Sequence, residues 1–346
     1  MSINMASQTS SFLNLAADIQ FLEKQPFPKY RKPKELAIFS TKLKHSEDDY
    51  EDQDGHVHNN VEHKEARAAD AVTQIQIGGH NIALFMMTNE ICTQIHLFIE
   101  CSPYDVDNRF DDGLIVVVQK LNDVYYMHEF PTDSAIKKEG LQTEHQKLMQ
   151  YWGMKFESYV TAKPAQQPKV DEPLNFNNEF GSIVYTKLNS HSMMFGGEVD
   201  CCHPNDTKKY IELKTTKQFE HARQESSFRR FKLIKWWLQS FLIGIDDILC
   251  GYRDDNGIIR HCEWYRIADI PHLLKKDPNY CKPSVCFAFL NMFLDFIKCN
   301  VQAELKPHVF IRQPKDNQFL MKVDETGHYK FLPYWFVAEA IGNKTM

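Results

Sequence analysis

The sequence has no long apolar run, since none of its hydrophobic stretches reaches the roughly 18 residues that a membrane-spanning helix needs. Residues 1–20 carry no lysine or arginine, and Asp18 interrupts their apolar part, so we expect neither a secretory signal nor contact with a membrane. Hydrophobic residues make up 43% of the 346 residues and charged residues 25%. This composition excludes a fully disordered or collagen-like chain.

Paired cysteines are also missing. The nine cysteines are an odd number, none forms a CxxC motif, and the adjacent Cys201 and Cys202 cannot easily bridge each other. We therefore expect reduced thiols in an intracellular protein. The fifteen histidines contain no HExxH motif of the kind that binds zinc in peptidases.

The chain lacks a positive net charge, and one short segment accounts for the whole formal charge of −6. Residues 46–54 contain six acidic side chains and no basic one, so the rest of the chain is neutral. A local basic groove therefore remains compatible with the sequence, and nucleic-acid binding depends on local charge. The polar, acidic segment 45–65 is predicted to be a mobile, disordered loop.

The hydrophobic pattern predicts strands and helices in mixed order, which implies an α+β or mixed α/β fold. A hairpin turn is predicted at 121–123, and the proline-rich segment 161–173 predicts a surface connection. The predicted strands are 75–77, 82–87, 91–98, 114–119, 124–129, 182–188, 193–201 and 209–215. The predicted helices are 142–160, 226–243 and 283–301.

Two short motifs concentrate carboxylates on neighbouring predicted strands. Glu198 and Asp200 are two residues apart on the strand 193–201, so their side chains share a face. About ten residues later, Glu212 and Lys214 share a face in the same way, after a turn sequence at 203–206. If the strands pair as a hairpin, three carboxylates and one ammonium converge. Such carboxylates repel one another unless a cation lies between them, and hard oxygen ligands favour Mg²⁺ or Mn²⁺.

Either motif alone is more simply explained as an exposed strand face with a salt bridge. The combination E-x-D … E-x-K across a short turn is more specific, because it is the arrangement of the PD-(D/E)xK nuclease core. In that interpretation, the lysine orients the attacking water or stabilises negative charge in the transition state.

The predicted helix 226–243 carries a polar stripe on an otherwise apolar surface. Lys232, Lys235 and Gln239 are spaced at i, i+3 and i+7, and Arg229 lies one turn earlier. The stripe suits a phosphate backbone together with a contact to water or metal, although a solvated helix face is the simpler alternative. The two tryptophans of this helix are interpreted as core residues.

Glu157 lies within an aromatic helical segment, and a buried glutamate needs a partner. A metal ion, Lys155 or an arginine would each serve, and the spacing does not choose between them.

Six blocks of the chain together resemble the DXO family of RNA 5′-end decapping exoribonucleases. The blocks occur in family order at residues 27–40, 151–157, 197–201, 210–215, 232–242 and 282–286. The resemblance implies a single domain spanning 1–346, made of two twisted mixed β-sheets flanked by helices around an active-site pocket.

The resemblance also assigns roles to particular residues. It implies ligation of Mg²⁺ or Mn²⁺, as two ions, by Glu157, Glu198, Asp200, Glu212 and the main-chain carbonyl of Leu213. Lys214 and Gln239 would hold the hydrolytic water and the scissile phosphate.

The implied activities are removal of incomplete or NAD caps, processing of 5′-triphosphates and 5′-to-3′ digestion of RNA. The implied partners are RNA carrying a 5′ cap, an NAD cap or a 5′ phosphate, together with a 5′-to-3′ exoribonuclease protein. The expected location is the nucleus, with the cytoplasm as an addition.

One departure from the family pattern concerns an arginine. The family's first motif places an arginine shortly before a Thr-Pro-Tyr-Glu-like stretch, which here reads Ser-Pro-Tyr-Asp at 102–105. Residues 87–94 contain no arginine, and its position corresponds to Asn89 or a neighbour. Two alternatives therefore accompany the enzyme hypothesis: a catalytically weakened protein that binds RNA 5′ ends or serves as a scaffold, and a DNA nuclease of the broader core.

Overall fold

A computed structural model of the chain describes residues 11–14, 21–42, 81–83, 112–162, 174, 178–278, 280–316 and 318–342. The predicted acidic loop at 45–65 and the predicted strands at 75–77 and 91–98 lie outside these ranges, as do Asn89 and most of the proline-rich segment.

Within these ranges the strands form two β-sheets. The strands are β1 Ser11–Asn14, β2 Tyr30–Lys42, β3 Asn81–Ala83, β4 Leu114–Leu121, β5 Val124–Phe130, β6 Asn178–Leu188, β7 His191–Glu198, β8 Cys201–His203, β9 Asp206–Lys217, β10 Asp247–Arg253, β11 Ile259–Arg266, β12 His308–Arg312 and β13 Gln318–Val323. The larger sheet has the order β1-β13-β12-β4-β5-β3-β7-β6-β2, and the smaller has the order β11-β10-β9-β8. Both are mixed, because β3 runs parallel to β5 and β7, and β9 parallel to β10.

The helices flank these sheets, so the predicted α+β class with two mixed sheets is confirmed. They are α1 Asp133–Glu139, α2 Glu144–Thr161, α3 Ala222–Ser227, a π-helix at Phe228–Leu233, α4 Ile234–Ile243, α5 Ile270–Leu274, α6 Pro283–Asn300 and α7 Tyr334–Gly342. The predicted helices 142–160 and 283–301 are confirmed as α2 and α6. No helix in the described part of the chain is both long and apolar enough to span a membrane.

The chain chemistry explains several element ends. Thr143 and Gln146 form a capping box that begins α2, because each side chain takes up the backbone N–H of the other. Asn122 and Asp123 both have positive φ, at 54° and 61°, in the two-residue turn between β4 and β5. Asn and Asp tolerate this conformation well, so the hairpin predicted at 121–123 is confirmed.

The main core lies between α4, α6 and the sheets. Trp237 stacks on Phe241 with ring centroids 4.6 Å apart, and Phe287 of α6 meets Trp237 edge-on at 6.0 Å. Trp236 and Trp237 are 7% and 3% exposed, which confirms their assignment to the core.

The predicted strand 193–201 is wrong in one respect. β7 ends at Glu198, residues 199 and 200 lie in no strand, and β8 begins at Cys201 in the other sheet. Glu198 and Asp200 are therefore not neighbours on one strand face.

The predicted helix 226–243 is not one continuous α-helix. Its first part is α3, followed by π-helical residues 228–233, and only 234–243 are regular α-helix. Such π turns appear as local insertions in helices, frequently at functional sites.

Candidate active site

The chain crosses from the larger to the smaller sheet between Glu198 and Asp200. Glu198 is the last residue of β7, and Asp200 directly precedes β8. Between them, the N–H of Val199 donates to the carbonyl of Phe180 on β6 over 2.8 Å. This bond fixes the crossing point against the larger sheet, so the two carboxylates stand on either side of the junction.

The β8–β9 hairpin brings Asp200 beside Glu212. Cys201 pairs with Ile211, so extending the register by one residue places Asp200 opposite Glu212. The Leu213 N–H donates to Asp200 Oδ2 over 2.6 Å. The hairpin predicted from the turn sequence at 203–206 is confirmed. Because the N–H and C=O of one strand residue point toward the same neighbour, the Leu213 carbonyl lies on the Asp200 side of β9.

Glu212 and Lys214 form an ion pair on β9, with Nζ 2.5 Å from Oε1. The side chains are 6% and 23% exposed, so the pair is mostly shielded from water. Burial disfavours the charge on Lys214, but Glu212 and Asp200 outweigh that effect and raise its pKa above the ordinary value. Lys214 is therefore a permanent cation at this site.

The pKa of Asp200 is raised well above its usual range. Burial contributes most, and the negative charges of Glu212 and Glu157 add to it, whereas Lys214 and the Leu213 N–H act in the opposite direction. One lysine does not neutralise this group of carboxylates, so a further cation would lower their energy.

Glu157 completes the group from α2. Its pKa is raised to about 7: burial contributes most, Lys214 acts in the opposite direction, and Glu198 and Glu212 add to the increase. Lys155, one of the partners considered from the sequence, has its Nζ 5.7 Å from the ring centroid of Tyr159. The charges of all four predicted carboxylates and of Lys214 therefore act on one another, and the structure places these residues in one group.

Close packing holds α2 at the smaller sheet. Phe156 is 6% exposed and packs with Ile211 and Leu213 of β9. Gly251 of β10 makes room for its ring, because a Cβ there would lie 2.9 Å from Phe156. The residue after Phe156 is Glu157, so this contact sets the position of the carboxylate.

The donor set fits a hard divalent cation by type, since it offers four carboxylates and one carbonyl and has excess negative charge. Among the described residues, no three His, Cys, Asp or Glu side chains already form a metal-binding group. Glu212 is paired with Lys214, and Asp200 accepts from the Leu213 N–H.

The residues of the polar stripe are less buried than most of their helical neighbours. Lys232 is exposed, and Lys235 and Gln239 are half-buried, whereas most neighbouring residues are buried. Within the described residues, Gln239 makes no hydrogen bond to the carboxylates or to Lys214. Arg229 is paired with Glu225 over 2.5 Å.

A cation that the sequence interpretation missed lies near this stripe. Arg253, at the end of β10, is 8% exposed and packs over Trp152 of α2, 4.7 Å from the ring centroid. Although Lys232 is exposed as a residue, partial desolvation by the surrounding protein lowers its pKa, and the positive charges of Arg253 and Lys235 lower it further. No spacing rule connects Arg253 with the stripe, because the strand that carries it was not predicted.

Comparison with known proteins gives a consistent family. The family model described as "RAI1 like PD-(D/E)XK nuclease" matches residues 88–337. The Xenopus laevis "Decapping and exoribonuclease protein" is 37% identical over 248 residues, which are 69% of this chain and 60% of that protein. The chain therefore spans about three fifths of the length of this curated relative.

Solved structures of similar fold include two Rai1 proteins. Candida albicans Rai1 in complex with pU5 and Mn²⁺ has a TM-score of 0.64 at 21% identity, covering 79% of this chain and 78% of that chain. Scheffersomyces stipitis Rai1 in complex with 3′-NADP⁺ and calcium also has a TM-score of 0.64, at 20% identity, covering 79% and 77%. At these identities the likeness shows the fold.

Proposed function

Because this chain belongs to the RAI1-like PD-(D/E)XK nuclease family, we propose that it is a divalent-metal-dependent hydrolase of RNA 5′ ends. The proposed activities are removal of unmethylated guanosine caps and NAD caps and 5′-to-3′ digestion of RNA, in RNA 5′-end quality control. The observation that carries the proposal is the group of four carboxylates around Lys214 at the junction of the two sheets. The name of the Xenopus relative supports decapping and exoribonuclease activity.

Glu157, Glu198, Asp200, Glu212 and the Leu213 carbonyl are the proposed ligands of Mg²⁺ or Mn²⁺, as two ions. Such ions supply charge stabilisation of phosphoryl oxygens and a more acidic water. The Mn²⁺ and calcium in the two Rai1 structures support a divalent requirement.

Lys214 and Gln239 are the proposed groups that contact the reacting atoms. With its raised pKa, Lys214 acts as a hydrogen-bond donor to a phosphate oxygen and does not act as a base. Gln239 offers both an amide N–H₂ and a carbonyl oxygen, so it can hold a water in a defined orientation. Donors already in place for the developing negative charge lower the barrier without reorganisation.

Lys232, Lys235 and Arg229 are the proposed contacts to the RNA backbone. Phosphate contacts fix the position of RNA without reading its bases. The position of Lys232 beside Arg253 and Lys235, whose positive charges act on it, supports this role. Arg229 would exchange or share its contact with Glu225 on binding.

The proposed substrates are RNAs with an unmethylated guanosine cap, an NAD cap or a 5′ monophosphate. The 3′-NADP⁺ and pU5 bound by the two Rai1 neighbours support an NAD-like end group and a 5′-phosphorylated strand. We propose slower release of pyrophosphate from 5′-triphosphate RNA, because residues 87–94 lack the family's arginine.

The remaining proposals concern the setting of the enzyme. A single domain over 1–346, a nuclear location with the cytoplasm as an addition, and a 5′-to-3′ exoribonuclease partner all rest on the family resemblance.

The test is incubation of the purified chain with 5′-labelled RNAs that differ only in their end group, in Mg²⁺, Mn²⁺ or EDTA. We expect release of the guanosine and NAD caps and shortening of monophosphate RNA with either metal, and no product in EDTA. Products that appear equally in EDTA would contradict the proposal.

The missing arginine favours a second candidate, a catalytically weakened protein that binds RNA 5′ ends. That candidate predicts tight binding of end-modified RNA without product under every metal condition. The same incubations, with binding measured in parallel, separate the two.

A further inference from the structure

A second carboxylate outside the metal group links the two sheets beside the active site. Glu35 lies on β2, at the edge of the larger sheet, and is exposed at the residue level. Its Oε2 accepts a hydrogen bond from Ser182 Oγ over 2.8 Å and another from the Tyr210 hydroxyl over 2.7 Å. Ser182 belongs to the larger sheet and Tyr210 to the smaller one, so one oxygen atom bonds to both.

Each donor lies close in the chain to a proposed metal ligand. Ser182 pairs across β6 and β7 with Gly197, the residue before Glu198. Tyr210 lies two residues before Glu212 on β9, so the two side chains are on the same face of the strand. Glu35 thus joins the strand segments that carry Glu198 and Glu212.

Local features aim the Glu35 side chain at this position. The register of β2 against β6 shifts between Glu35 and Ala37, where β2 gains one residue. Such bulges redirect side chains and are common near active sites. The Phe180 ring meets the Tyr210 ring edge-on at 6.1 Å, and the Phe180 carbonyl accepts from Val199, so the same strand also supports the tyrosine and the crossing.

From this geometry we infer that Glu35 is a positioning residue: with Tyr210 and Ser182 it sets the relative position of the two sheets, and so the spacing of the metal ligands each sheet contributes. The inference rests on the proposed metal-dependent function. Residues that orient metal ligands through hydrogen bonds typically change metal affinity by 10–100-fold when they are replaced.

The test is a double-mutant cycle with Glu35→Gln and Tyr210→Phe, read out by calorimetric titration of Mn²⁺ into the RNA-free protein and by melting temperature. We expect each single variant to bind Mn²⁺ about tenfold more weakly with a similar melting temperature, and the double variant to be no weaker than the weaker single. Glu304→Gln is the matched control. That carboxylate accepts the Asn122 N–H over 3.0 Å, at the β4–β5 turn of the larger sheet, and the variant should bind Mn²⁺ as the unmodified protein does.

Other outcomes separate the inference from the function. Unchanged Mn²⁺ affinity in both single variants, or additive losses, would overturn the positioning role even if RNA hydrolysis is observed. Lower melting temperatures at unchanged Mn²⁺ affinity would show that Glu35 stabilises the fold without positioning the metal ligands. An unmodified protein that binds no Mn²⁺ would overturn the proposed function and this inference together, whereas one that binds Mn²⁺ but leaves RNA intact would overturn the function alone.

Discussion

Lys214 Nζ lies 2.5 Å from Glu212 Oε1, and the two residues are two positions apart on the same strand. Their side chains share one face of β9, and the ammonium is the cation that the surrounding carboxylates face. The ion pair thus offsets part of the repulsion that the carboxylates would otherwise exert on one another.

Replacing Lys214 should destabilise the metal-free protein. In Lys214→Met, Glu212 loses its cation while Asp200 and Glu157 remain nearby. Breaking a fully buried pair costs about 3–5 kcal/mol, and the partial exposure of Lys214 reduces the expected loss to about 2–3 kcal/mol. Urea unfolding in EDTA measures it, and Mg²⁺ should restore part of the stability.

Lys306→Met is the matched control for that variant. Lys306 pairs with the exposed Glu325 over 3.0 Å, and exposed pairs contribute about 0–1 kcal/mol. Equal destabilisation of the two variants would show that Lys214 does not compensate the carboxylate group.

The proposed metal ligands should be required for turnover and dispensable for folding. Glu198→Gln and Asp200→Asn should each lower the rate of cap removal at least about 100-fold, because charge stabilisation of the transition state is lost. Melting temperatures in EDTA should stay level or rise, since repulsion is relieved. The measurement is the initial rate with Mg²⁺ beside the melting curve. Glu220→Gln, at an exposed carboxylate, should keep full activity, and activity retained in the Glu198/Asp200 double variant would refute the ligand assignment.

Glu157 should make the stability of the metal-free protein depend on pH. Its pKa of about 7 lies above the ordinary 4.5, so the folded state binds a proton more tightly than the unfolded state does. The contribution of Glu157 is therefore fully present below about pH 4.5 and is lost as the pH rises to about 7. Melting curves in EDTA should show a steeper decline over this window for the unmodified protein than for Glu157→Gln.

The same ionisation gives metal binding the opposite dependence. The carboxylate must lose its proton to bind a cation, so Mn²⁺ affinity should rise with pH through about 7. If Glu157→Gln shows the same pH dependence of stability and of Mn²⁺ affinity as the unmodified protein, another group is responsible.

Lys232→Ala should weaken RNA binding by a similar factor for all sequences, and the slope of log affinity against log salt should fall by about one. Partial desolvation and the neighbouring cations disfavour a charged Lys232 in the free protein, so an RNA phosphate would relieve this effect. Fluorescence anisotropy at several salt concentrations measures both quantities. Lys137→Ala, at an exposed position of α1, is the control, and an equal effect there would assign both lysines to general surface charge.

The parts of the fold that sequence pattern predicts are those with strong local signals. The β4–β5 hairpin follows from its turn residues and α2 from the hydrophobic pattern, and E-x-D … E-x-K identifies the ion-pair strand. The position of Asp200 does not follow from the two-residue periodicity of a strand, because that periodicity applies only if β7 continues past Glu198. Long-range pairing decides instead, since Val199 bonds to Phe180 and redirects the chain.

Other elements gave no usable signal. β2 contains Pro33 and a charged start, which argue against a strand, yet it pairs with β6 through two register shifts. Glu35 and Arg253 owe their surroundings to partners more than 100 residues away in sequence, at Tyr210 and Trp152. A single sequence does not encode such contacts locally.

The π-helical turn at Phe228–Leu233 has a consequence for tolerance of length changes. An α-helix advances about 100° per residue, so an added residue normally rotates everything on one side of it. A π turn accommodates that extra residue, so the helical segments on both sides keep the same faces toward the core. Deleting one residue from this turn would convert it to regular α-helix and swing α3 around the axis of α4, while Lys235 and Gln239 stay against the core. This turn therefore lets the segment before the helix vary in length without moving Lys235 and Gln239, whereas Arg229 and Lys232 lie in the turn itself and would move with it.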